Sequence, residues 1–268
     1  MVSRVDVPKG GFNFDNYQRN LILQEKGFSL PKPTKTGTTI VGTKFKNGVV
    51  LGADTRATGD TTVMDKNCFK IHYLAPNIYG CGAGTAADTD KITKMVASQL
   101  ELHRLATGRE SRVATALTAL TQFLFRYQGH LGAALVLGGV DVDGPHLFSV
   151  SPHGSTDKLP YLCQGSGSLA AISIFESQWR ENMERDEAIE LVKEAIKAGI
   201  FNDMGSGSSV DVAVIEKGRA EVCRGMEVPY PTIQKVDSYK FKPGTTAILS
   251  ESFRNFVTIT EGDAMDIS

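Results

Sequence analysis

The sequence predicts antiparallel sheet packed on antiparallel sheet, with pairs of helices covering the outer faces. Two observations carry this expectation. Its elements read in the order strands, two helices, strands, two helices, strands, whereas a parallel βαβ fold alternates single helices with strands. The first two β-rich runs also flank Asn47-Gly48, a dipeptide that turns a chain back on itself as a hairpin.

Residues 1–37 stand apart from the rest of the chain. They hold Arg4, Lys9, Arg19, Lys26, Lys32 and Lys35 against Asp6, Asp15 and Glu25, and are punctuated by Gly10-Gly11, Pro31 and Pro33. They read as an extended leader whose apolar period supports at most a short helix over residues 17–24. An ordinary poorly ordered N-terminus has the same composition. From Thr38 the character changes to β-rich runs at residues 38–44 and 49–54, followed by short strands at 69–74 and 78–81. Two helices come next. The first covers residues 86–105, with Ile92, Met95, Val96 and Leu100 at helical spacing; the second covers 113–127, with a stripe of Val113, Leu117, Leu120, Leu124 and Tyr127. Strands return at residues 133–140, 146–150 and 161–164, then helices at 169–179 and 187–202, then strands at 210–216 and 220–223. Beyond Arg224 come Pro229, Pro231 and Pro243 with a single strand-like run at 245–249, which reads as an extended arm. The expected boundaries are therefore a leader at 1–37, a globular domain at 38–223 and an arm at 224–268.

Composition narrows the function classes. A chain of 268 residues, 41% hydrophobic and 22% charged, with 29 basic against 30 acidic side chains, can bury one sizeable core. That composition excludes a disordered tail, a collagen and a membrane bundle. No apolar run approaches the roughly eighteen residues that span a bilayer, and residues 1–37 lack an apolar signal core, so an intracellular protein is expected. Near-zero net charge gives no global field for nucleic acid. Cys68, Cys81, Cys163 and Cys223 are scattered without C-x-x-C pairs and read as reduced thiols.

Several short motifs carry possible chemistry. Gly82-Ala83-Gly84-Thr85-Ala86-Ala87 follows a strand and opens a helix, the context of a dinucleotide-binding turn. A second helix follows, however, where that reading needs another parallel strand. Glycines at a helix start also expose N–H groups that cradle any anion, including a transient oxyanion. No G-x-S-x-G elbow, H-E-x-x-H helix or Walker A sequence occurs, and the five histidines form no ligand-like cluster. Gly165-Ser166-Gly167-Ser168 and Gly205-Ser206-Gly207-Ser208 form two similar loops beside predicted helices. Judged singly, such loops are turns, and Asp54, Lys70 and Asp203 are ordinary surface charges.

Taken together, these residues resemble one family. The set is Lys35-Thr36-Gly37-Thr38-Thr39-Ile40-Val41-Gly42, Gly52-Ala53-Asp54-Thr55-Arg56-Ala57, Asp65-Lys66-Asn67-Cys68 with Lys70-Ile71-His72, the Gly82–Asp88 turn, the Gly165 loop, and Asn202-Asp203 with the Gly205 loop. The chain resembles the catalytic β subunits of the eukaryotic 20S proteasome, still carrying a propeptide, and among them the trypsin-like (beta-2) class. Phe14-Asp15-Asn16, the run from Gly82 to Thr89 and the long C-terminal arm carry that finer likeness.

The resemblance implies a four-layer αββα sandwich of the N-terminal nucleophile (Ntn) hydrolase type. It implies a threonine endopeptidase of unfolded and ubiquitin-targeted proteins that needs no cofactor or metal and cleaves after basic residues. Thr38 would be the nucleophile, freed by autocatalytic cleavage between Gly37 and Thr38. A new α-amine, with a reference pKa of about 7.7–8.0, would then serve as the nearby base. Lys70 would hold positive charge near Thr38, Asp54 would orient that lysine, and Ser166, Asp203 and Ser206 would complete the proton network. The Gly84 N–H would be the oxyanion donor, worth roughly 3 kcal/mol in comparable sites. Gly82 would floor a deep pocket, Asp90 and Asp88 would pair a basic substrate residue, and Thr58 and Ala86 would hold the substrate as an added strand. Asp90 stands where members of the class carry glutamate, one methylene longer, and both acids also suit a helix N-terminus. The implied partners are other α and β subunits in stacked seven-membered rings, a regulatory cap, assembly chaperones and polypeptide substrates, with no nucleic acid and no membrane. The implied location is the cytoplasm and nucleus, and residues 224–268 would wrap a neighbouring β subunit.

Overall fold

The computed structural model describes residues 14–28, 36–230, 238 and 240–257, which fall into two compact units, one ending at Tyr230 and one beginning at Pro231. In the first unit the leader carries helix α1 (Asp15–Glu25), slightly longer than the 17–24 expected. The predicted hairpin follows as β1 (Ile40–Phe45) and β2 (Gly48–Asp54), with Phe45 opposite Gly48. Its turn is Lys46-Asn47, and Gly48 does not have positive φ. Space is what demands glycine there: a Cβ at Gly48 would lie 2.2 Å from the Ile215 carbonyl oxygen.

Next come β3 (Ala57–Gly59), β4 (Thr62–Asp65), β5 (Ile71–Ala75) and β6 (Ile78–Gly84), then α2 (Ala86–Thr107) and α3 (Val113–Arg126). After them run β7 (Ala133–Asp141), β8 (Gly144–Val150), β9 (Thr156–Lys158) and β10 (Tyr161–Gln164), then α4 (Ser168–Gln178) and α5 (Arg185–Asn202), and finally β11 (Val210–Glu216) and β12 (Arg219–Glu227). Gly108, left-handed at φ 66, stops α2, while reciprocal bonds between Glu184 and Glu187 start α5 as a capping box.

Two antiparallel sheets result, ordered β10-β1-β2-β11-β12 and β5-β6-β7-β8-β9, beside the small β3-β4 ribbon. Side-chain alternation along the strands then builds three apolar layers. In β2, Val49, Leu51 and Ala53 face the other sheet, where they meet Val136, Val140 and Leu147. Val50 faces the opposite way, into a layer with Phe175, Val192 and Ile196 of α4 and α5. In β7, Leu135 and Leu137 turn outward onto Ile92, Val96, Leu120 and Leu124 of α2 and α3. Helix pair, sheet, sheet, helix pair is the αββα sandwich expected.

Three departures are informative. The β3-β4 ribbon and β9 were not expected, because β4 and β9 are exposed along their whole length and show no apolar alternation to betray them. Strand β12 runs on to Glu227 and the compact unit to Tyr230, so the globular domain does not end at 223 as expected. Arg224 explains the extension: its guanidinium pairs the buried Asp211 at 3.1 Å and the chain continues along β11. In the second unit, the run at 245–249 forms no strand; Pro243-Gly244, with Gly244 at φ 83, instead closes a turn in which Thr245 N–H donates to the Lys242 carbonyl at 3.2 Å.

Leu51 is fully buried between the two sheets, against Val136 and Leu147 of the facing one. Leu51→Ala should therefore cost about 2–5 kcal/mol, read as a lower midpoint of urea unfolding. A loss below about 1 kcal/mol would mean that the two sheets close over the gap.

Candidate active site

Closing the first hairpin builds half of the site. Asp54 ends β2 and Thr38 precedes β1 by two residues, so the ladder that pairs Ile40 with Ala53 and brings Asp54 N–H to the Thr39 carbonyl sets the two side chains together. The Thr38 hydroxyl donates to Asp54 Oδ1 at 3.1 Å, and Thr39 N–H donates to the same oxygen at 2.9 Å. Lys70 comes from the other sheet, immediately before β5, where its carbonyl is held by Gly82 N–H at 3.1 Å. Its ammonium donates to Asp54 Oδ1 at 2.7 Å and also to the Thr38 hydroxyl oxygen. All three residues are buried, Asp54 completely.

The second group approaches from the two Ser/Gly loops. Ser166 Oγ accepts Thr38 N–H at 3.0 Å and donates to Asp203 Oδ2 at 2.6 Å. Ser206 Oγ donates to the same carboxylate oxygen at 2.6 Å, and Gly205 N–H donates to Oδ1 at 3.0 Å. Burial alone would raise the Asp203 pKa, but these hydrogen bonds and the Lys70 charge outweigh it and hold the carboxyl below its ordinary value. An ionised Asp203 can only accept, so both serine protons point at it. Ser206 Oγ then receives the Thr39 hydroxyl at 2.7 Å. Ser206, expected in the proton network around Thr38, connects to that residue through Asp203 and Ser166.

The Gly37–Thr38 peptide sits within this network. Gly37 N–H donates to Thr58 Oγ1 at 2.9 Å, and the Thr36 hydroxyl donates to the Gly84 carbonyl at 3.2 Å. A Cβ on Gly37 would stand 2.4 Å from Gly205 Cα, so two glycines let leader and loop touch backbone to backbone. Thr58, expected to hold a substrate strand through its backbone, lies on the short β3 and here accepts the leader's Gly37 N–H with its side chain.

Beside Thr38 lies a cavity of about 210 Å³, lined among others by Thr58, His72, Gly82, Gly84, Ala86 and Asp90. A Cβ at Gly82 would come within 3.3 Å of His72 Nε2 and clash with Thr89, so glycine keeps this floor open. Asp90 is paired with Lys94 one turn along α2 at 2.7 Å, and that hydrogen bond holds its carboxyl below the ordinary value. Asp88 behaves differently from expectation. It does not line the cavity; its Oδ2 accepts Gly132 N–H at 2.8 Å and so ties the start of β7 to the start of α2. The Gly82–Ala87 turn joins antiparallel β6 to α2, which leaves a dinucleotide unit without its second parallel strand.

Sequence reasoning missed four contributors. Thr39 bonds Ser206 across the site, His72 lines the cavity, Arg56 N–H donates to Asp54 Oδ2 at 3.1 Å, and Tyr230 meets the Gly205 loop. Burial depresses the His72 pKa, Lys94 adds to that effect and Asp90 opposes it, so the imidazole is neutral at pH 7. Thr39 and His72 stand inside motifs already noted; nothing in the local pattern marks Tyr230.

Comparison with known proteins agrees with this geometry. Residues 34–215 match the family profile described as proteasome subunit, and residues 233–261 match that of proteasome beta subunits C terminal. The chain is 57% identical to the probable proteasome subunit beta type-2 of Schizosaccharomyces pombe, with 96% of each chain covered. It is 58% identical to the proteasome subunit beta type-7-A of Arabidopsis thaliana, with 98% of each covered. It is 52% identical to the proteasome subunit beta type-10 of Mus musculus, covering 95% of this chain and 94% of that one. With the αββα core and a buried threonine beside a carboxylate and an ammonium, these matches show that the chain belongs to the proteasome β-subunit family, Ntn-hydrolase threonine endopeptidases that assemble with other α and β subunits into the 20S core.

Proposed function

We propose that this subunit cleaves after basic residues and is activated by cutting its own Gly37–Thr38 bond, with Thr38 as nucleophile. The observation that carries the reading is the Thr38 hydroxyl, buried and held between Asp54 and Lys70 on the carboxyl side of Gly37. In the first step Thr38 Oγ1 attacks the Gly37 carbonyl carbon. Its proton passes to Asp54 Oδ1, the acceptor it already faces, while the Lys70 ammonium stabilises the developing alkoxide. The carbonyl oxygen becomes an oxyanion, for which the Gly84 N–H would be the donor; Gly84 and Gly37 line the same cavity. Collapse breaks the Gly37–Thr38 C–N bond and the nitrogen takes the proton, leaving an ester between Gly37 and Thr38 Oγ1. Water hydrolyses the ester, releasing residues 1–37 as a carboxylate and Thr38 with a free amine.

The amine then becomes the base for substrate cleavage. Its nitrogen is already bonded to Ser166, whose own proton is committed to the ionised Asp203, so the serine oxygen stays free to accept from that amine and fix it. Peptide cleavage repeats the same steps: Thr38 Oγ1 attacks the scissile carbonyl, the amine moves the proton to the leaving nitrogen, and water resolves the acyl ester. Intact mass and N-terminal sequencing of assembled particles test the first step. The wild-type chain is expected to begin at Thr38, and Thr38→Ala to retain its leader and lose peptidase activity. A leader kept by both in complete particles would remove Thr38 from the mechanism.

Support for basic specificity is the acidic Asp90 in a cavity floored by Gly82. Lys94 occupies that carboxylate in the free site, so a substrate Lys or Arg must displace an exposed cation, an inexpensive exchange. Asp90→Ala should lower kcat/KM roughly tenfold for a peptide with Arg before the cut while sparing one with Leu. Acidification should act the same way: as pH falls through the His72 pKa, which burial holds below the ordinary histidine value, the imidazole gains charge inside the cavity and repels a basic residue. The ratio of Arg to Leu cleavage should fall with pH while Asp90 stays ionised, and a flat ratio would exclude His72 from specificity.

The C-terminal segment supplies a neighbour contact in this reading. It matches a profile of its own and contains Pro231 and Pro243, which suit an extended arm better than an independent core. Deleting residues 231–268 should lower the yield of assembled particles severalfold, measured by native electrophoresis against full-length chain; an undiminished yield would show that the arm does not serve assembly.

A further inference from the structure

Residues 203–209, between α5 and β11, carry Asp203, Ser206 and the Gly207 N–H that donates to Asp54 Oδ2 at 3.1 Å. Within this loop Ser208 has φ 70, a left-handed conformation that a residue with a β-carbon rarely adopts. Two groups from remote parts of the chain hold it there. The Arg56 guanidinium lies flat against Gly207, where a Cβ would stand 2.3 Å from its Cζ, and Nη1 donates to the Met204 carbonyl at 3.0 Å. The Tyr230 hydroxyl accepts Ser208 N–H at 2.7 Å and Arg56 Nη2 at 3.2 Å, which occupies both of its lone pairs. Its ring is packed against the apolar layer beneath α4 and α5 and does not line the Thr38 cavity.

We propose that the Tyr230 hydroxyl is a positioning group for the reaction centre: it pins Ser208 in its left-handed conformation and Arg56 over Gly207, and so fixes the loop that grips Asp54 and carries Asp203. The inference rests on the reading of Thr38 and Asp54 as that centre. It gives a physical reason why the last residue of the compact unit is a tyrosine. An aromatic ring without the hydroxyl would pack as well but leave the Ser208 N–H and Arg56 without their shared acceptor.

The test is a double-mutant cycle in assembled particles: Tyr230→Phe made in the wild type and in a Ser208→Gly background, with Thr38→Ala as reference. Steady-state kcat and KM are read with a peptide bearing Arg before the cut. In the wild type, Tyr230→Phe should lower kcat roughly tenfold with KM changed less than about twofold, since a small misplacement of reacting groups affects turnover more than binding. In the Ser208→Gly background the same substitution should cost less than about threefold, because glycine reaches φ 70 without being held. An unchanged kcat in Tyr230→Phe, or an equal loss in both backgrounds, would overturn the positioning role. Activity that survives Thr38→Ala would overturn the assignment of the centre itself, a result separable from either.

Discussion

The buried carboxylate of Asp54 is the constraint on which the site depends. It is fully excluded from solvent and accepts five donors: Lys70 Nζ, Thr38 Oγ1 and Thr39 N–H on one oxygen, and Arg56 and Gly207 N–H on the other. An ionised carboxyl taken out of water costs several kcal/mol, which these contacts must offset. The donors come from the start of β1, the residues after β2, the residue before β5 and the loop before β11. One anion therefore pulls both sheets and a distant loop into register at a single point. Each lost donor would leave this charge less compensated where water does not reach, so the geometry around Thr38 and the stability of the junction between the two sheets are linked.

Close backbone approach is the second condition. Gly37 meets Gly205, and Gly165, at φ 96, sits where a Cβ would lie 2.2 Å from the Thr38 carbonyl oxygen. These contacts leave no room for side chains between the leader, Thr38 and the two Ser/Gly loops. The glycines that read as ordinary turns in isolation are thus spacers that let three strands of backbone converge on Thr38. Thr39, wedged between Gly167 and Gly199 with its hydroxyl on Ser206, closes the rear of the same junction.

Most of the fold was legible because burial writes itself into period. Val49 to Asp54 and Ala133 to Asp141 are buried on both faces and read as continuous β-rich runs, the Leu120-Leu124 stripe recurs at helical spacing, and the paired helices excluded a parallel sheet. The exposed ribbon β3-β4 bears no such signature, yet it carries Thr58 to the leader. For the site, Thr38, Asp54, Lys70 and Asp203 were legible only as a set, through family resemblance, since each alone is an ordinary residue. Asp88 was misread because an acid at a helix start suits a dipole, a pocket or a backbone N–H equally, and only the fold shows Gly132 waiting there. Tyr230 was invisible because its partner Arg56 lies 174 residues away and no local pattern encodes that meeting.

The leader-bearing chain also bears on the order of events. With Thr38 nitrogen still an amide, the network of Asp54, Lys70, Ser166 and Asp203 is already assembled around it. An amide nitrogen has no basic lone pair, so in the proposed reaction the hydroxyl proton would go to the Asp54–Lys70 pair before the cut, and afterwards to the amine, whose reference pKa of about 7.7–8.0 lies closer in basicity to the threonine hydroxyl. Under the proposed reaction one set of side chains must serve two different bases in succession without rearranging. Ser166 makes this feasible, since it accepts an N–H from Thr38 in the uncut chain and can accept one equally from the amine. Activation by this route would then require the loss of the leader and little else, which would place the demand for precision on the loops that exist before the cut.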